Sequence, residues 1–225
     1  MASALSAAEQ AQLQRLRLAA AQRQFVLSRG CLRYLLSRYT SFPPASLSFV
    51  YGPRGKPALG PDQPDQGLAF NLSHSGPWLL IGVSVAPEIR EIGVDIEVLR
   101  AVKHLPGLCR RYLTPTEAET VLAQGTPQAD HQFLRYWTGK EACLKALGLG
   151  IANSMQTMEL TLKSDGPASD PAPIAVATDS LQRPGQLYQW QPNGNCLAAI
   201  AVQSTPPWAA LTFRLKQTTP VALAP

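Results

Sequence analysis

The 225-residue chain has little charge: Asp, Glu, Lys and Arg make up 16% of it, against ~25% in an average soluble domain. It has three histidines and four cysteines. Cys31, Cys109, Cys143 and Cys196 fall in no CxxC or Cys/His spacing that would hold zinc. Isolated, reduced thiols in a cytoplasmic protein are the expectation that follows. Long apolar runs are also missing. The longest charge-free one, Trp78–Ala86, is far below the ~18 residues of a membrane span. Met1–Gln12 lacks the basic and apolar regions of a secretory signal. Nor is basic charge concentrated. Arg15–Arg38 carries six arginines in 24 residues with no aromatic ladder, which argues against nucleic acid as a partner.

The hydrophobic content of 45% is enough for a packed core and excludes a disordered chain. The length suits one large domain or two of about 110 residues. The formal charge of +5 suits an acidic partner or a phosphate-bearing ligand.

Apolar residues recur at helical spacing from Ala8 to Tyr39, predicting one long helix. Strands are predicted at Leu47–Tyr51, Ala69–Leu72, Trp78–Val85 and Glu91–Val98, after a loop rich in Pro and Gly at Gly52–Gly67. Trp78–Val85 is apolar on both faces, as a central, doubly covered strand would be. Helical signals resume at Val102. In Thr114-Pro115-Thr116-Glu117 an N-cap, a proline at the first position and a capping-box acid fall in register. A further helix is expected over Ala129–Leu147, stopping at Gly148. Short strands should follow at Met155–Leu162, Ile174–Ala177, Leu187–Trp190, Leu197–Val202 and Leu211–Leu215. Helix-then-strands thus occurs twice, over 1–100 and 101–225.

Four clusters could carry chemistry. In Glu91–Val98, Ile92, Val94, Ile96 and Val98 share one strand face while Asp95 and Glu97 share the other. Two carboxylates on one face form the start of a hard-oxygen site for Mg²⁺; the alternative is an ordinary solvated strand face. In Trp137–Gly148, Trp137, Glu141 and Lys145 are spaced i, i+4, i+8. The Glu–Lys pair is also a common helix-stabilising one, worth ~0.2–0.5 kcal/mol. Interior Gly139 costs ~1 kcal/mol relative to Ala, so a close approach to that backbone is expected. Phe70–Gly76 places Ser73 and His74 in a polar cluster after a strand, suited to phosphate or to a plain turn. Gly55-Lys56-Pro57 offers a charge on a rigid loop.

In this order and spacing, Gly-Lys-Pro, Phe-Asn-Leu-Ser-His-Ser, Gly-Val-Asp-Ile-Glu and Trp-Thr-Gly-Lys-Glu-Ala-Cys-Leu-Lys-Ala-Leu-Gly resemble the 4′-phosphopantetheinyl transferases of the larger, surfactin-synthetase-activating type. The resemblance covers residues 9 to 215. It implies an α+β fold, a pseudo-twofold pair of similar halves in one chain, with the site between them. It implies Mg²⁺-dependent transfer of phosphopantetheine from coenzyme A to a serine of an apo acyl or peptidyl carrier protein. The products would be the holo carrier and adenosine 3′,5′-bisphosphate.

The resemblance also implies residue roles. Asp95, Glu97 and Glu141 would hold the metal, and Glu141 would be the base for the carrier serine. Lys145 would neutralise the pyrophosphate. Lys140, turned ~100° from Glu141 on a helix, ranks below it. Gly55, Lys56 and Pro57 would lie along the adenine, Ser73 and His74 near the 3′-phosphate, and Arg23 on the first helix would meet the same phosphate, with Arg17 behind it. The implied partners are coenzyme A and an acidic carrier protein, with no membrane, and the implied active species is a monomer. Family members usually begin with a strand, whereas this chain starts almost at its helix, and that helix is thinly basic. A weakened module that binds coenzyme A or carrier without turnover is the alternative this suggests.

Overall fold

A computed structural model describes residues 1–63, 67–150, 155–162, 169–177, 185–204 and 214–216. The chain divides into two compact units. One holds Met1–Val50, Leu59–Gln66 and Pro206–Pro225, the other Tyr51–Ala58 and Gly67–Thr205.

In the first unit the expected single helix is two, α1 (Ala7–Arg15) and α2 (Ala19–Leu36). No Gly or Pro marks the break. It is set by a contact across 24 positions: the buried Arg33 donates from Nε to Glu9 Oε2 at 2.5 Å. Arg33 Nη1 also donates to the Pro44 and Leu47 carbonyls, each at 2.7 Å. The Gln22 amide donates to Leu16 O at 2.8 Å, satisfying a carbonyl that the break takes out of the helix ladder. Ser6 and Glu9 close a capping box on α1.

The strands are β1 (Phe49–Tyr51), β2 (Pro57–Leu59), β3 (Ala69–Ser75), β4 (Trp78–Ser84) and β5 (Ile89–Val98). Three helices follow, α3 (Leu105–Tyr112), α4 (Pro115–Leu122) and α5 (Gln128–Leu147). Then come β6 (Glu159–Thr161), β7 (Ala172–Ala177), β8 (Gly185–Asn193) and β9 (Cys196–Ser204). The α+β expectation holds, and helices followed by strands occur twice along the chain. The predicted strand at Leu211–Leu215 lies mostly outside the described residues.

In the second unit β5, β9, β8, β7 and β6 form one antiparallel sheet in that order. β3 and β4 pair as a separate antiparallel hairpin. β4 is therefore not the doubly covered central strand its apolar run predicts: it is half-buried along its length in a two-stranded sheet. Its Gly82 leaves room for Ile92 and Val94, the apolar face of β5.

α5 crosses the sheet, burying Phe133, Leu134 and Leu144 with Leu187 and Leu197 of the strands. Gly148 ends it with φ 68°, a left-handed cap that glycine adopts without strain. Gly139 is explained by packing: a Cβ there would lie 2.8 Å from Leu160 Cδ1 and 3.3 Å from Leu187 Cδ2. The close approach expected at this backbone is made by side chains of the sheet.

Thr114 and Glu117 form the expected capping box on α4. Glu117 goes further. Its Oε1 accepts Leu160 N–H at 2.8 Å, and its Oε2 pairs with Lys140, which is fully buried. Lys140 Nζ also donates to Met155 O at 2.8 Å and Met158 O at 2.9 Å. Lys140 therefore joins α4, α5 and the turn before β6, and its ammonium has its partners inside the protein.

Candidate functional site

The second unit brings β5, α5 and β3 together through a residue that spacing alone did not single out. Gly93 lies on the same face of β5 as Asp95 and Glu97. A Cβ at Gly93 would sit 2.1 Å from Ala142 O and 2.2 Å from Ala146 N, both backbone atoms of α5. The missing side chain lets the helix rest directly on the strand. The Asp95 face is therefore covered by α5; the solvated-face alternative does not hold, and Asp95 is 4% exposed. Gly93→Ala is expected to push α5 off β5, costing ~1–3 kcal/mol and most of the activity; thermal melts and a transfer assay check both.

Seated there, α5 presents Glu141 and Lys145 to Asp95. Lys145 Nζ donates to Asp95 Oδ1 at 2.7 Å and lies 4.0 Å from Glu141 Oε2. It also donates to Ser73 Oγ at 3.0 Å, and Ser73 Oγ donates to Asp95 Oδ1 at 2.7 Å. Trp137 does not join them; it packs edge-on against Tyr112 at 5.1 Å and beside Phe133. Glu97 Oε2 accepts from Ser75 Oγ and Arg100 Nη1, both at 3.0 Å.

Burial pushes the Glu141 carboxyl up to about 7; Lys145 pulls it down, and the Asp95 and Glu97 charges add to the rise. Burial also raises Asp95, against the pull of Lys145 and Ser73. Both shifts describe carboxylates short of positive charge. Asp95 Oδ2 is buried and has no hydrogen-bond partner. Among the described residues no three His, Cys, Asp or Glu side chains stand close enough together to hold a metal ion as they are. Instead Lys145, Ser75 and Arg100 engage the carboxylates. The all-oxygen donor set and the partnerless Asp95 Oδ2 fit a hard cation such as Mg²⁺.

The remaining predicted residues are placed differently. Ser73 and His74 lie within β3, not in a loop after it. Alternation turns Ser73 inward and leaves His74 exposed, apart from the Asp95 cluster. Gly55, at φ 80°, shapes the tight turn closed by Gly52 N–H on Lys56 O at 2.9 Å. Pro57 is buried at the start of β2. Lys56 Nζ does not reach outward: it donates to Glu91 Oε2 at 2.6 Å, Ile92 O at 3.0 Å and Ala146 O at 3.3 Å. Arg23 is exposed on α2 of the first unit, and Arg17 in the break before it.

Residues 91–178 match the family model of the 4′-phosphopantetheinyl transferase superfamily. Residues 1–86 match that of the 4′-phosphopantetheinyl transferase N-terminal region. The chain is 37% identical over 202 residues to the 4′-phosphopantetheinyl transferase HetI of Nostoc sp., covering 90% of this chain and 80% of that one. To the 4′-phosphopantetheinyl transferase Sfp of Bacillus subtilis it is 29% identical over 138 residues, 61% of this chain and 58% of that one. A holo-(acyl-carrier-protein) synthase structure from Bacillus anthracis aligns over 52% of this chain and 98% of its own, at 24% identity and TM-score 0.44.

Proposed function

The chain belongs to the 4′-phosphopantetheinyl transferase family, and from that premise we propose that Asp95, Glu97, Glu141 and Lys145 form the centre with which it moves phosphopantetheine from coenzyme A to a carrier-protein serine. The observation that carries this reading is the half-buried junction of Lys145, Ser73 and Asp95, with Glu141 Oε2 4.0 Å from Lys145 Nζ.

The reaction is attack of a serine hydroxyl on the β-phosphate of coenzyme A. The bond to the carrier oxygen forms, the pyrophosphate bridge breaks, and adenosine 3′,5′-bisphosphate leaves. Such a transfer asks for positioning, charge neutralisation and a base. Asp95, Glu97 and Glu141 are the residues that would hold Mg²⁺, which supplies positive charge against the pyrophosphate. Glu141, presented by α5 beside Asp95 and Lys145, would also accept the serine proton. Lys145, its side chain 28% exposed, is free to turn from Asp95 toward an incoming phosphate and neutralise the leaving group.

For the nucleotide end we propose the exposed His74 and the Gly55–Pro57 turn; a phosphate role for Arg23 rests on the resemblance alone. Lys56 acts there through the fold of the turn, since Glu91 holds its ammonium. Among the described residues no helix is long and apolar enough to cross a membrane. The four cysteines are unpaired thiols, which suits a reducing compartment such as the cytoplasm.

Lys145→Gln tests the assignment. The expected result is release of adenosine 3′,5′-bisphosphate slowed ~10²-fold or more in a protein that melts as the unaltered chain does. An unchanged rate would remove Lys145 from the centre.

A further inference from the structure

The turn between β1 and β2 is fastened to the far end of α5 by two of its side chains. Lys56 points inward, its side chain 18% exposed. Its Nζ donates to Glu91 Oε2 at 2.6 Å and Ile92 O at 3.0 Å, both on β5, and to Ala146 O at 3.3 Å in the last turn of α5. Arg54 of the same turn lies along the backbone just past the helix: a Cβ at Gly150 would stand 3.4 Å from Arg54 Cδ and Nε.

The last four carbonyls of a helix have no partner within it. At the end of α5 the Leu149 N–H closes on Leu144 O at 2.9 Å and the Gly148 N–H on Lys145 O at 3.3 Å. The Lys56 ammonium takes the next carbonyl, that of Ala146, where a cation also meets the negative end of the helix dipole. This is the place where the missing side chain of Gly93 lets Ala146 N come against β5. Lys56 thus pins helix to strand at their closest approach. Lys145 is the residue before Ala146 on α5, and Asp95 lies a few residues beyond Ile92 on β5.

Resting on the function proposed above, we propose that Lys56 is a positioning residue that locks the nucleotide turn to the strand and helix carrying Asp95, Glu141 and Lys145. Seating coenzyme A on the turn and aligning those groups then become one event. Without the ammonium, Ala146, itself 3% exposed, loses the donor to its carbonyl. The last turn of α5 loosens, and Lys145 loses its aim at Asp95. Glu91 steadies the ammonium from a side chain that is 46% exposed, so exchanging it leaves the core of the unit undisturbed.

The test is hydrogen–deuterium exchange of the full chain without coenzyme A, read at the Gly148 and Leu149 amides, with transfer kinetics beside it. Lys56→Met is expected to speed exchange at those amides ~10–100-fold, the range for losing hydrogen bonds to a charged group. It should lower kcat ~10–100-fold, the scale of a small misplacement of reacting groups, as well as raise KM for coenzyme A. Glu91→Gln, which leaves the two carbonyl bonds in place, should move all three in the same direction by a smaller factor. Thermal melts of both variants report whether the fold is kept. If Lys56→Met does not fold, Glu91→Gln carries the test, and no change in it overturns the proposal. A raised KM with kcat and exchange unchanged also overturns it, because Lys56 then serves the nucleotide alone. Unchanged exchange in a folded Lys56→Met, while the unaltered chain transfers phosphopantetheine, sinks the proposal and leaves the function standing. An unaltered chain that transfers nothing overturns the function and this coupling with it.

Discussion

Exchanging Glu141 for Gln is expected to lower phosphopantetheine transfer ~10²–10⁴-fold, the range associated with loss of a general base, while leaving the chain folded. It should also make the metal-free protein more stable at alkaline pH. Burial raises the folded-state Glu141 carboxyl from 4.5 to about 7. Between those values the folded chain binds more protons than the unfolded one, so stability falls as pH rises. The loss is complete above about 7 and amounts to at most ~3 kcal/mol. Gln cannot ionise and escapes this penalty. In EDTA, urea unfolding of Glu141→Gln against the unaltered chain should show a gain near pH 8 that disappears near pH 4. A difference independent of pH would mean that Glu141 is not held in the environment described.

Lys140→Met should have the largest effect on stability, ~3–5 kcal/mol, because it strands the Glu117 carboxylate without its buried cation. Burial already depresses Lys140 below the usual lysine range, with Glu117 pulling it back up, as expected of an ammonium that depends on its partner. Removing both charges, as in Lys140→Met with Glu117→Gln, should cost less than the sum of the single changes. Denaturant melts of the four proteins give the coupling directly. Transfer per folded molecule should fall far less in Lys140→Met than in Glu141→Gln. An equal fall would give Lys140 the pyrophosphate role assigned here to Lys145.

The parts of the fold legible in the sequence were those encoded locally. The capping box at Thr114–Glu117, the stop at Gly148 and the alternation of β5 each depend on neighbours within a few residues. The break between α1 and α2 was not legible, because it depends on Arg33 reaching Glu9 across 24 positions. β4 misled because seven apolar or small residues are compatible with a central strand or with the half-buried hairpin it forms.

The site divides in the same way. Asp95, Glu141 and Lys145 were named from spacing and resemblance, and α5 carries the latter two to the first. Gly93 was passed over, although a glycine two residues before an acid on a strand is a readable sign that another backbone comes close. Lys56 and Ser73 are polar side chains in the sequence, but the sequence does not show the protein partners they bond to. Here those partners are Glu91 and Asp95.

The most direct test is the intact mass of an apo carrier protein incubated with this chain, Mg²⁺ and coenzyme A. The account predicts a gain of one phosphopantetheine on a single serine, with adenosine 3′,5′-bisphosphate released in equal amount, and no gain with Glu141→Gln or in EDTA. Binding of coenzyme A and carrier with no gain in mass, across fatty-acid, polyketide and peptide carriers, would contradict it.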